Sequence, residues 1–227
     1  KRNLTEASKC NPITHYSKNK LNIEKDLKSL ADRNFSPIIL RISTLFGFSP
    51  RMRFDLAVSM FVAMAALNKK IQLNSDGQSW RPHLYLEDLI NVIERCFFLN
   101  NKKLEIINVG SDKNNFKIID VAKMICKITK SNLIFLNKSN KNSLIKDKTV
   151  NYGKDKRNYS VNFSKIKKLF PKIKFTSVKK GVFLDYKIIK KLNLSKNILN
   201  NKKYFRLHYL SYLIKMKKID NNLRVIK

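Results

Sequence analysis

Residues 3–11 are polar and read as a loop. From Pro12 the apolar positions Tyr16, Leu21, Ile23, Leu27 and Leu30 are interleaved with Lys18, Asn19, Glu24, Lys25 and Lys28. That spacing is helical rather than alternating, and Asn34 and Pro37 mark its end. PIILRISTLFG, residues 37–47, predicts one continuous buried strand ending at Gly47, as parallel sheets require. FSPRMRF opens as a basic loop and leads into an Ala- and Met-rich helix over 55–68. KIQLNSDGQSW reads as a short strand running into a turn at Asp76 and Gly77. RPHLYLEDLINVIERCFFLN reads as a strand and then a helix, with Glu87 and Asp88 near the helix start, where acidic side chains are favoured.

LEIINVGS predicts a strand ending at Gly110, KIIDVAKMICKIT an amphipathic helix and SNLIFLNK another strand. Residues 138–158 are Lys- and Asn-rich and read as a loop. SVNFSKIKKLFP predicts a helix capped by Asn162 or Ser164 and stopped at Pro171. Beyond about residue 187 the pattern degrades around YFRLHYLSYLI, and the segment is read as one more helix or as partly disordered. There is no internal repeat. Strand and helix alternate, which predicts an α/β fold.

The 227 residues suffice for one large domain or for one and a half small ones, and the 43% hydrophobic content allows a buried core. No run approaches the roughly 18 apolar residues that cross a bilayer. Cys10, Cys96 and Cys126 form no C-x-x-C pair, which argues for a reducing compartment and against a disulfide framework or metal site. Together with polar residues 1–10, this predicts a cytoplasmic location. The net charge of +32 invites a nucleic-acid reading. Lysine, however, far outnumbers arginine, accompanies abundant Asn and Ile, and is spread along the whole chain, whereas arginine is the better reader of bases. Nucleic acid is therefore not the expected partner, although the charge should attract phosphates and anionic surfaces non-specifically.

NPITHYSKNK places Tyr16 and Lys20 four residues apart, on one face of a helix. A free phenol titrates near 10 and is a poor base at neutral pH, while a cation within about 4–6 Å favours its ionised form. Such a pair is common on helices and by itself decides nothing. Its neighbours carry more weight: LTEASKCNPITHYSKNKLNIE, ILRISTLFGFSPRMRFD, DGQSWRPHLYLEDL, IINVGS and DKRNYSVNFSKIKKLF follow one another over roughly residues 4–185. In that order they resemble the C-terminal two-thirds of an extended short-chain dehydrogenase/reductase, one of the NAD(P)-dependent nucleotide-sugar epimerases and dehydratases.

The resemblance implies that Tyr16 removes a proton from a sugar hydroxyl as hydride moves to the nicotinamide of NAD or NADP, with Lys20 supplying charge and reaching a ribose hydroxyl. It implies that Arg81 and Arg157 hold the diphosphate of a nucleotide-diphosphate sugar. Asp155 belongs to the same late loop as Arg157, and Asp88 ends the WRPHLYLED motif. Thr44 stands where many members carry Asn and is the candidate substrate contact at the end of the strand. Arg51 and Arg53 are as readily packing or solvated as phosphate-binding. Trp80 is read as packing and His15 and His208 as structural or solvated, while His83 stands where the resemblance places an aromatic residue and is not expected to act as a ligand or base.

Such enzymes open with a G-x-x-G-x-x-G turn that seats the dinucleotide. Here the five glycines stand at 47, 77, 110, 153 and 181, none close to another. The chain is therefore expected to be a fragment: a partial Rossmann-type parallel sheet lacking its N-terminal dinucleotide half, with a small α/β substrate-binding domain. The expected segments are 1–48 as the Rossmann remnant, 49–186 as the substrate-binding portion and 187–227 as a basic tail. A homodimer is compatible with this reading. The alternative is a non-catalytic basic module derived from the same fold that binds nucleotide sugar, nucleic acid or a partner subunit.

Overall fold

The computed structural model describes residues 3–100, 103–135 and 157–226. In chain order the elements begin α1 (His15–Leu30), β1 (Ile38–Ile42), β2 (Thr44–Phe46), α2 (Ala57–Asn68), β3 (Lys70–Leu73), β4 (Trp80–Tyr85), α3 (Leu86–Phe97) and β5 (Glu105–Val109). They continue with β6 (Asn115–Lys117), α4 (Ile118–Thr129), β7 (Asn132–Phe135), α5 (Ser164–Leu169), α6 (Val178–Lys191) and α7 (Arg206–Lys215). The fold is α/β with parallel strand pairs, as the alternation predicts. Two compact units divide it. The first comprises Lys1–Leu45, Trp80–Phe116 and Arg157–Ser177; the second comprises Phe46–Ser79, Lys117–Lys156 and Val178–Lys227. Units drawn by contact thus interleave along the chain, whereas the segments drawn from the resemblance are consecutive.

In the first unit β1 runs parallel to β5, in register from Ile38 opposite Glu105 to Ile42 opposite Val109. The core gathers Leu84 from β4, Leu89 and Val92 from α3, Ile107 and Val109 from β5, and Phe163, Ile166 and Phe170 around α5. The single strand expected over 37–47 is two strands. Ser43 breaks it: its backbone N–H and its Oγ both donate to the Val109 carbonyl, at 3.2 and 2.7 Å. Beyond that point the chain joins a different sheet, ordered β2-β4-β6. β1 is also less covered than expected, with Ile39 buried and Ile42 half exposed. Gly110 is required beside this break, since a Cβ there would lie 2.6 Å from Ser43 Oγ and 2.7 Å from the Phe163 ring.

The second unit is built on α2, in which every residue from Val58 to Ala66 is buried. A helix apolar on all sides needs partners all round. α2 ends at Lys69 in the left-handed conformation, φ 54°. Lys69 Nζ donates to the Thr129 carbonyl at 3.1 Å and to the Tyr186 hydroxyl at 3.0 Å, joining the ends of α2 and α4 to α6. β3 and β7 pair in parallel, Lys70 opposite Asn132 through Leu73 opposite Phe135.

The residues beyond 187 do not trail from this unit. α6 continues to Lys191, 3₁₀ turns follow at Lys196–Asn200 and Lys202–Tyr204, and α7 comes next. Leu199, Phe205 and Ile219 are buried, and Phe54 N–H donates to the Tyr204 carbonyl at 3.0 Å. Of the two readings of this segment, one more helix or partial disorder, the described part shows the helix, α7, together with the 3₁₀ turns. The loop expected over 138–158 and the end of the SNLIFLNK strand lie largely outside the described residues, as does Asp155. No helix among the described residues is long and apolar enough to cross a membrane.

Candidate active site

Helix α1 begins one residue before Tyr16 because Thr14 and Ser17 cap it reciprocally. Thr14 Oγ1 accepts from Ser17 N–H at 3.2 Å, and Ser17 Oγ accepts from Thr14 N–H at 3.0 Å. This closes a capping box with serine in place of the usual acidic residue. It starts the helix at His15, three residues later than Pro12 suggests. Tyr16 therefore lies in the first turn and Lys20 one turn on, with Lys20 Nζ 5.8 Å from the centroid of the Tyr16 ring. Both side chains are open, Tyr16 at 73% exposure.

Arg81, on β4, is only 6% exposed. Its Nη1 donates to the Trp80 carbonyl at 2.6 Å and to the Arg157 carbonyl, and its guanidinium lies 5.2 Å from the Tyr159 ring centroid. The Asn158 side chain accepts from Trp80 N–H at 3.1 Å, and Tyr159 N–H donates back to the Trp80 carbonyl at 3.3 Å. Arg81 thus holds the main chain of Arg157, whose own side chain is exposed. Thr44 is half-buried on β2, the strand beside β4. All five candidate residues belong to the first unit. Tyr16 with Lys20 forms one cluster and Arg81 with Arg157 another.

The other singled-out residues are placed as follows. His83 has no exposed surface, and burial first, then the Arg81 charge, pushes its imidazole down to about 4. Asp88 is buried, and its carboxylate accepts from Thr176 N–H at 2.7 Å and from Thr176 Oγ1 at 3.0 Å, which ties α3 to the segment after α5. Gly47, at φ 136°, occupies backbone space that favours glycine. Arg53 forks onto Asp55, with Nε to Oδ1 at 3.0 Å and Nη2 to Oδ2 at 2.8 Å. Among the described residues no group of His, Cys, Asp or Glu could hold a metal ion.

Two arrangements escaped the sequence reading. Arg41 on β1 forks onto Glu24 of α1, and the bond to Glu24 raises the guanidinium above its ordinary range. The signal was available: a cation inside the apolar run IILRIST requires a partner, and Glu24 stands one more turn beyond Lys20. The other is Asp185 of α6, 1% exposed, whose Oδ1 accepts from Phe48 N–H at 3.0 Å and holds the chain just after Gly47. Nothing in the local pattern announces it.

Comparison with known proteins shows what the chain is similar to. Residues 1–110 match the NAD dependent epimerase/dehydratase family. Solved structures share the fold. A dTDP-glucose 4,6-dehydratase from Bacillus anthracis in complex with NAD is similar at 18% identity and a TM-score of 0.65, over 91% of this chain and 58% of that one. A UDP-glucuronic acid 4-epimerase from Bacillus cereus in complex with UDP-glucuronic acid and NAD is similar at 25% identity and a TM-score of 0.65, over 84% of this chain and 57% of that one. A trifunctional UDP-glucose 4,6-dehydratase, epimerase and reductase from Arabidopsis thaliana is 29% identical over 125 residues, 54% of this chain and 18% of that protein. The chain thus spans little more than half of those two solved enzymes and less than a fifth of the plant protein.

Proposed function

We propose that these 227 residues are part of an NAD(P)-dependent nucleotide-sugar epimerase or dehydratase in which Tyr16 and Lys20 carry proton transfer at a sugar hydroxyl. The observation that carries the reading is the pair itself: an exposed phenol and an exposed ammonium, one turn apart, on a helix whose start is fixed by its own capping box. That donor set fits the sugar-facing end of a nicotinamide dinucleotide. It does not extend to the pyrophosphate, since the glycines at 47, 77, 110, 153 and 181 form no phosphate-cradling turn.

When bound, the dinucleotide supplies a hydride acceptor. The rest falls to side chains of this chain. The Tyr16 oxygen, as the phenolate that the Lys20 charge favours, takes the hydroxyl proton of the sugar and becomes the neutral phenol. Arg157 offers an exposed guanidinium to the diphosphate of the nucleotide sugar, a group suited to paired N–H donors. Arg81 contributes by fixing the Arg157 main chain and by adding charge beneath it. Thr44, at the sheet, faces the sugar.

The test is Tyr16→Phe in a polypeptide that also carries a cofactor-binding half. Loss of the phenolic proton carrier should lower turnover about 10²–10⁴-fold and leave nucleotide-sugar affinity unchanged. Full turnover by the variant contradicts the reading.

A further inference from the structure

We infer that Arg41, Glu24 and Glu6 form a clamp that positions Tyr16 and Lys20 by fixing the rotation of helix α1 on the sheet. The inference rests on the reading of Tyr16 and Lys20 as the reacting pair. It starts from an anomaly: α1 has 16 residues, none of them buried. Tyr16, Ile23 and Leu30, spaced by sevens, are 73%, 48% and 64% exposed. Apolar burial, the usual means of seating a helix, is weak for the helix that carries the candidate chemistry.

The polar tie is correspondingly well made. Arg41 Nε donates to Glu24 Oε1 at 3.0 Å and Nη2 donates to Oε2 at 2.6 Å, two parallel bonds that define an orientation as well as a distance. The side chains are 23% and 18% exposed, so solvent screens them only in part. Arg41 Nη1 donates to the Glu6 carbonyl at 2.9 Å, and Glu6 Oε1 accepts from Asn108 N–H at 2.9 Å. Asn108 is the residue of β5 paired with Arg41 in the β1–β5 ladder. One arginine therefore joins the helix to β1 and, through the loop at Glu6, to β5.

Tyr16, Lys20 and Glu24 follow one another at steps of four. On a helix each such step turns by about 40°, so Lys20 and Tyr16 head about 40° and 80° away from the direction in which Glu24 meets Arg41. Fixing Glu24 fixes those headings. A lysine at 41 would keep the charge but not the fork.

The test is hydrogen exchange followed by mass spectrometry on the full chain with Arg41→Ala, Glu24→Gln and the swapped pair Glu24→Arg with Arg41→Glu. Each single variant should exchange at least about tenfold faster over residues 15–30, with β5 and α4 unchanged, and the swap should restore part of the protection. A purely structural role would loosen all three regions together and would not be rescued locally. Unchanged exchange over 15–30, or equal loosening everywhere, overturns the inference. Should Arg41→Ala unfold the chain, Glu24→Gln carries the same test; unfolding of both also overturns it, because the pair would then hold the unit rather than the helix. Titration of the unmodified chain with UDP-glucuronic acid is read separately. Failure to bind speaks against the proposed function and leaves the clamp standing.

Discussion

His83 sits without exposed surface on β4, its imidazole pushed down to about 4 by burial and by Arg81. The unfolded chain takes up that proton near 6.5, while the folded chain resists until about 4. The stability tied to this neutrality is therefore complete above pH 6.5 and is lost as pH falls from 6.5 to about 4, levelling off below, a loss on the order of 3 kcal/mol in all. Urea unfolding at about pH 7 and about pH 4.5 should show a shallower loss for His83→Gln than for the unmodified chain; parallel losses contradict the assignment. Gly110 makes the sterics equally explicit. A methyl group there would press on Ser43 Oγ and the Phe163 ring, both inside contact distance. Gly110→Ala should cost roughly 1–3 kcal/mol, the usual range for overpacking, measured as a lowered denaturation midpoint. An unchanged midpoint would mean that the β1–β2 break relaxes freely.

At the scale of elements, the capping box decides where the candidate chemistry sits. Thr14→Ala removes the acceptor for Ser17 N–H and should cost about 1 kcal/mol of helix stability. Its effect should appear as faster amide exchange in the first turn of α1, around Tyr16, while the last turn keeps its protection. Equal exchange at both ends would contradict the assigned cap. Most elements were legible because their apolar rhythm is undisturbed, as in α4, where Ile119, Ala122 and Ile125 return to one buried face. Others were hidden by a residue of the wrong polarity at a core position. In α6 the buried residues Val178, Gly181, Val182, Asp185 and Ile189 follow helical spacing, but a carboxylate and a glycine stand where the pattern calls for large apolar groups. The split of 37–47 was not legible either, because it depends on Ser43 bonding to a carbonyl 66 residues away. In the site, the proximity of Tyr16 and Lys20 is legible in their spacing by four, whereas the role proposed for them comes from the resemblance. Their tie to the sheet through Arg41 was signalled only by a cation inside an apolar run, with its partner Glu24 standing 17 positions earlier.

For the whole molecule, the charge of +32 is the most prominent feature of the composition. The acidic groups are few, yet several serve structure: Glu24, Glu6, Asp88 and Asp185 are all engaged inside their own unit. Among the described residues most lysines are exposed. Several large apolar side chains also stand open on helices, with Phe97 82% and Phe98 84% exposed at the end of α3. These accompany a chain that covers 57% of the Bacillus cereus epimerase to which it is similar. The role proposed for Tyr16 and Lys20 requires a dinucleotide-binding turn to work with them. The most direct measurement is to read the coding DNA upstream of the Lys1 codon. The proposed function predicts an in-frame strand with a G-x-x-G-x-x-G turn, and a Ser or Thr about two dozen residues before Tyr16. An in-frame stop followed by a start codon close to Lys1 would contradict it, and the basic binding module would then be the better reading.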